Sequence, residues 1–115
     1  MDGRCLFCRI IDKEIPSKIV FENDEILAFE DIRPQAPLHL LIVPKEHIEK
    51  VSDLTVANAD LTARMILAAK DISAQRGLEK SGYRIVINCG SDAGQEVFHM
   101  HLHLLGGRKF GWPPG

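Results

Sequence analysis

Apolar and polar positions change period several times along the chain, and each change predicts an element. Residues 5–12 (CLFCRIID) carry Leu6, Phe7, Ile10 and Ile11 at near-helical spacing, which predicts a short helix of about two turns. Ile15-Pro16 breaks it, because the residue before a proline is pushed out of the helical region. Residues 18–22 (KIVFE) and 25–31 (EILAFED) flank the turn signal Asn23-Asp24 and predict a hairpin. A third strand over residues 38–43 (LHLLIV) stops at Pro44. Between Thr55 and Gly77, the residues Leu61, Met65, Ala68 and Ile72 recur at i, i+4, i+7 and i+11, the single apolar stripe of a long helix. Gly77 suits its left-handed C-terminal cap. Residues 83–88 (YRIVIN) read as a fourth strand and residues 97–105 (VFHMHLHLL), alternating strictly, as a fifth. Residues 89–96 (CGSDAGQE) form a glycine-rich loop between them. Five strands with one grouped helical insertion predict an α+β fold, a five-stranded and mostly antiparallel sheet with one long and one short helix. No linker divides the chain, so residues 1–115 read as a single domain.

Composition narrows the classes without choosing among them. The 115 residues are 45% hydrophobic and 26% charged, which excludes disordered and collagen-like chains. The longest apolar run is residues 65–69, too short for a membrane span. Fourteen Lys+Arg against 16 Asp+Glu give a net charge of −2, which argues against binding nucleic-acid backbone. Residues 1–4 lack a basic start followed by an apolar stretch, and three cysteines are an odd number; both point to reduced thiols in a cytoplasm. Cys89 reads as a small residue at a strand end.

Chemistry concentrates at the end of the chain. His99, His101 and His103 alternate with Met100, Leu102 and Leu104, so a strand would put three imidazoles on one face, roughly 7 Å apart. Burying the three apolar partners against the long helix would turn the histidines toward a cleft. Such a face can bind a catalytic metal, or can present a neutral histidine as a nucleophile whose neighbours set its tautomer. The glycine-rich loop just upstream favours phosphoryl chemistry, because its backbone N–H groups can cradle phosphate oxygens.

The run His99-Met100-His101-Leu102-His103-Leu104-Leu105 resembles the histidine triad (HIT) pattern. Further matches are Ile15-Pro16, Asp31-Ile32-x-Pro34-Gln35-Ala36-Pro37, Leu105-Gly106-Gly107-Arg108 and Trp112-Pro113-Pro114-Gly115. Together they resemble the Hint branch, the histidine triad nucleotide-binding proteins, over nearly the whole chain. The resemblance implies a HIT-like homodimer with its sheet continued across the partner and Trp112 reaching the neighbouring site. It implies a hydrolase of phosphoramidate bonds on purine nucleoside monophosphates. In that scheme His101 attacks the α-phosphorus to form a nucleotidyl-histidine, His103 binds phosphate, and His39 is a fourth histidine beside them. Asp31 would accept both ribose hydroxyls; Leu6, Phe7, Ile10, Phe29 and Ile32 would wall the base; Asn88, Gly94 and Val97 would form the loop edge. Glu96 departs from members with serine there. A carboxylate repels phosphate unless protonated or turned away, and it can instead meet a basic leaving group such as a lysine amine.

Cys5-x-x-Cys8 is the second departure, since some Hint proteins have no cysteine there. The motif alone fits zinc, a redox pair or small buried residues. Other branches of the superfamily combine it with a histidine near His47 and with the first triad histidine. Cys5, Cys8, His47 and His99 would then enclose a structural zinc, with no position left for water. Three rival functions remain at this level: a dinucleoside polyphosphate hydrolase, a nucleotide-binding module with little turnover, and a metallohydrolase using all three strand histidines.

Overall fold

A computed structural model describes residues 5–115, so the reading of residues 1–4 as carrying no secretory signal lies outside it. Two helices and five strands run in the order α1 (Leu6–Ile11), β1 (Ile19–Glu22), β2 (Ile26–Glu30), β3 (Leu38–Pro44), α2 (Ala59–Gln75), β4 (Tyr83–Ile87) and β5 (Leu102–Gly106). A single turn of 3-10 helix, Val51–Asp53, precedes α2. The strands form one sheet in the order β1-β2-β3-β5-β4, and all four pairings are antiparallel. This is the α+β architecture expected from the sequence, with antiparallel pairing throughout.

Period-2 geometry divides the sheet into two working faces. On one face Leu38, Leu40, Ile42, Met100, Leu102 and Leu104 pack against the stripe of α2. That stripe is Leu61, Met65, Ala69 and Ile72, with Ala69 in the buried place expected of Ala68. The helix begins at Ala59, four residues later than the patterning suggested, and Gly77 follows its cap at φ +74°. Only glycine takes that left-handed value without strain. On the other face Leu27, Phe29, Leu41 and Val43 meet Phe7 and Ile10 of α1. The central strand β3 is therefore buried on both sides along all seven residues. Truncating one of its leucines to alanine would cost about 2–5 kcal/mol.

The hairpin turn is made by Asn23, whose Oδ1 accepts the amides of Glu25 (2.9 Å) and Ile26 (2.8 Å). One expectation needs correcting. The fifth strand starts at Leu102 instead of Val97. Ahead of it the chain leaves the ladder: the Met100 amide donates to the Ile48 carbonyl, and the His99 ring to the Pro44 carbonyl. β3 runs only to Pro44, the register position opposite Met100, and proline has no N–H to donate, so residues 97–99 lie beyond the partner strand and the ladder begins at Leu102. The alternation survives without the ladder, because Met100 still packs in the α2 core.

Candidate active site and metal centre

The five histidines fall into two groups on the α1 side of the sheet, and the groups differ in where their protons can be. The first joins Cys5 and Cys8 of the α1 end, His47 from the segment after β3, and His99. The Cys5 sulfur also caps α1, accepting the Cys8 amide. The Cys5 and Cys8 sulfurs lie 3.4 and 3.5 Å from His99 Nδ1, Cys8 Sγ lies 3.3 Å from His47 Nδ1, and the two Nδ1 atoms are 3.2 Å apart. His99 Nε2–H donates to the Pro44 carbonyl at 2.7 Å, so in the neutral ring Nδ1 carries the lone pair. Burial, more than the opposing Pro44 contact, pushes its pKa down to about 4; His47 and His101 lower it further. A lone pair thus faces the second ring nitrogen and both sulfurs. Tetrahedral zinc, with Zn–N near 2.05 Å and Zn–S near 2.3 Å, separates ligand nitrogens by about 3.4 Å and nitrogen from sulfur by about 3.6 Å. The four residues fit such an ion in donor type and in spacing.

The second group is His39, His101 and His103. His39 on β3 and His103 on β5 are diagonal neighbours, since His39 pairs with Leu105 and Leu41 with His103. The Gln35 amide donates to His39 Nδ1 at 3.0 Å. Neutral His39 therefore carries its proton on Nε2, which donates to His103 Nδ1 at 2.9 Å. Neutral His103 then carries its proton on Nε2. Arg108 steadies the start of this chain by donating Nε–H to the Gln35 carbonyl at 2.9 Å. His101 Nδ1 stands 2.8 Å from the His99 carbonyl, which can only accept, so its lone pair lies on Nε2. Burial is the main cause lowering the pKa of all three rings. His103 falls to about 4, with His101 and His39 adding to the shift and Asp31 opposing it. At neutral pH this is an uncharged imidazole lone pair beside an uncharged N–H donor.

Asp31 also lies near His39 and His103, and the three side chains together have a metal-binding composition. Their hydrogen bonds argue otherwise. A cation on His39 Nε2 would have to displace the proton that Gln35 places there, whereas in the first group no such proton intervenes at His99 Nδ1. Nor do the three strand histidines converge on one point, as the metallohydrolase reading requires: of the two candidate ligand sets, the first contains His99, the second contains His103, and neither contains His101.

The remaining expected site residues spread around this centre. Phe7 stands edge-on to His101, His99 and Phe29, with centroids 5.0, 6.0 and 5.6 Å away. With Ile10 and Phe29 it belongs to the second core, while Leu6 is exposed and Ile32 is 91% exposed. Asn88 and Val97 are half-buried; Gly94 turns the loop at φ +90°. Glu96 lines a cleft of about 330 Å³ together with Cys5, His47, Glu49 and Val97, none of them a member of the second group. Sequence reasoning missed Gln95. Its buried side chain donates to the carbonyls of Glu49 (2.7 Å) and Val97 (3.1 Å) and accepts the Gly90 amide (2.9 Å). It ties the glycine-rich loop to the segment bearing His47. Only its place between glycines and the histidine run could have hinted at this.

Sheet, central histidine chain and bordering loop form a histidine-triad arrangement, and comparison with known proteins agrees. The HIT domain model matches residues 12–110. A HIT family hydrolase from Legionella pneumophila superposes with a TM-score of 0.95 at 54% identity, covering 97% of this chain and 100% of that one. Among curated relatives, the adenylylsulfatase HINT1 of Arabidopsis thaliana is 46% identical over 99% of this chain and 78% of its own length. The 14 kDa zinc-binding protein of Zea mays is 45% identical over 99% of this chain and 90% of its own. The chain belongs to the HIT family, in its Hint-like branch.

Proposed function

We propose that the protein is a nucleoside phosphoramidate hydrolase acting on purine nucleoside monophosphate derivatives. The observation that carries this reading is the proton placement at His101: Nδ1–H is held by the His99 carbonyl, and Nε2 offers its lone pair. Nε2 attacks the α-phosphorus, and the P–N bond to the amine breaks with its electron pair staying on a nitrogen that takes up a proton from solvent, which the later hydrolytic water returns. Water then attacks the nucleotidyl-histidine, the P–N bond to His101 breaks, and its pair returns to Nε2. One proton of that water replaces the one the amine took up, and its oxygen ends on the nucleoside monophosphate. Imidazole suits both halves, being nucleophilic while neutral and a good leaving group as imidazolium. His103 donates Nε2–H to a phosphoryl oxygen as charge builds there. Asp31 accepts the ribose hydroxyls, and the apolar side chains of α1 and β2, with Ile32, face the base.

Cys5, Cys8, His47 and His99 hold zinc in this reading, a closed structural site whose ion fixes the His99 ring and, through the His99 carbonyl, the aim of His101. The edge strand β4, half-buried along its length, pairs with a second copy to form a homodimer, and exposed Trp112 approaches the partner's site. The protein works in the cytoplasm, where its thiols stay reduced. A second reading changes only the leaving group: the Arabidopsis relative is named for adenylyl sulfate, so sulfate can stand where the amine stands.

Mass spectrometry of protein mixed with an adenosine phosphoramidate tests the reading. A transient gain of one adenylyl group, absent in His101→Ala, is expected. Turnover without any adduct, or with an adduct that survives in His101→Ala, would overturn it. A parallel assay with adenosine 5′-phosphosulfate and a diadenosine polyphosphate ranks the leaving groups.

A further inference from the structure

We propose that Cys5 and Cys8 are a redox modification site, in which an uncharged peroxide entering the cleft beside them joins the two sulfurs and empties the metal centre. The proposal rests on the zinc reading above and adds to it an oxidant, a route and an order of attack. The four ligands are not buried alike. Cys8 and His99 have no exposed surface, whereas Cys5 and His47 are half-buried and line the cleft of about 330 Å³. Of the two sulfurs, that of Cys5 is therefore the one open to an entering molecule. The Cys8 sulfur stands ready as its partner, because all four ligand atoms lie within 4.8 Å of one another. The Cys8 amide also donates to Cys5 Sγ at 3.4 Å, which folds the Cys5 side chain back toward residue 8. Side-chain rotation is enough to close the remaining gap.

The cleft also selects the oxidant. Its wall carries the exposed carboxylates Glu49 and Glu96 and no Lys or Arg. These repel an anionic oxidant such as a glutathione-type disulfide and leave an uncharged peroxide free to enter. The Cys5 thiolate attacks one peroxide oxygen: an S–O bond forms, the O–O bond breaks, and hydroxide leaves with its electron pair. The Cys8 thiolate then attacks the Cys5 sulfur; the S–S bond forms, the S–O bond breaks, and a second hydroxide leaves. Both hydroxides take protons from solvent. The sulfurs together lose two electrons, and the peroxide gains them as it becomes two waters. With two of four ligands tied to each other, the site keeps only His47 and His99 and no longer holds zinc. A dithiol reductant reverses both changes when zinc is supplied. Cys89 takes no part, since it lies outside the cluster with its sulfur 3.3 Å from Ser52 Oγ.

The test uses zinc-loaded protein carrying Cys89→Ser, in which Cys5 and Cys8 are the only thiols. Hydrogen peroxide should release the zinc, read with a zinc-responsive dye, while both thiols disappear and the mass of the denatured chain falls by two hydrogens. Tandem mass spectrometry should place the bridge between Cys5 and Cys8, and dithiothreitol with added zinc should restore metal and thiols. Oxidised glutathione at equal concentration should act about tenfold more slowly, and Glu49→Gln combined with Glu96→Gln should narrow that gap. Zinc that stays bound under peroxide would overturn the proposal and leave the zinc reading intact. So would zinc lost with extra oxygen on Cys5 and Cys8 still a thiol. Equal rates for the two oxidants would overturn the selection by the carboxylates. Protein that takes up no zinc at all would overturn the zinc reading and the proposal together.

Discussion

The two histidine clusters sit on the same face of the same sheet, draw on neighbouring residues of one run, and use hydrogen in opposite ways. Around His99 the Pro44 carbonyl takes the Nε2 proton, leaving Nδ1 among two sulfurs and a second ring nitrogen. Around His103 every nitrogen pair has one donor and one acceptor, in a chain that starts from the Gln35 amide. The difference shows that a count of histidines says little. What separates a metal centre from a proton chain is which backbone group claims the far nitrogen of each ring. Here one carbonyl and one amide, at opposite ends of β3, make that choice.

Substitutions in each cluster should therefore fail differently. The largest effect is expected from Cys8→Ser, which on the proposed reading removes a zinc ligand. Bound zinc, measured by elemental analysis, should fall well below one per chain, and the melting temperature should drop by about 10 °C or more, since the metal stabilises only the folded form. Unchanged metal content in that variant would erase the contrast between the clusters. Next comes His39→Ala, which should keep its zinc but lose roughly 10- to 100-fold in kcat as His103 loses its partner. Gln95→Ala should cost about 1–3 kcal/mol in urea unfolding, from the stranded Gly90 amide and Glu49 and Val97 carbonyls, with KM affected more than kcat. The smallest effect concerns pH. His103, facing His39, His101 and Asp31, has a folded pKa near 4, below the ordinary 6.5, and His39 is lowered as well. Between those values the unfolded chain binds more protons than the folded one, so stability should decline as pH falls from about 6.5 toward 4 and stay flat above. His39→Gln, keeping volume while removing a titrating ring, should blunt that decline in a series of melting curves.

Much of the scaffold was legible because side-chain period and turn chemistry act locally. The hairpin at Asn23, the α2 stripe and the cap at Gly77 each depend on residues within a few positions. The missing first half of the fifth strand was not legible, for alternation records which side chains are buried and not whether a neighbouring strand persists; Pro44 had already ended it. The histidines were visible as a run, and Cys5, Cys8, His47 and His99 gather as the resemblance implied. Tautomers were not visible, because they depend on the carbonyls of Pro44 and His99 and the amide of Gln35, which any sequence possesses. Gln95 escaped for a related reason: its partners are all main-chain atoms distant from any motif.

Phe7 stands one position from each of two worlds. It rides on the same six-residue helix that Cys5 caps, and its ring abuts His101. So short a helix has little propensity of its own and stays in place through what it is fastened to. On the proposed reading, stripping the zinc would unfasten that helix and withdraw the Phe7 ring from His101, though none of the four metal ligands is His101 itself. Chelating buffers should consequently act as slow poisons: activity would fade over the time the helix takes to detach, long after a competitive inhibitor would have reached its plateau.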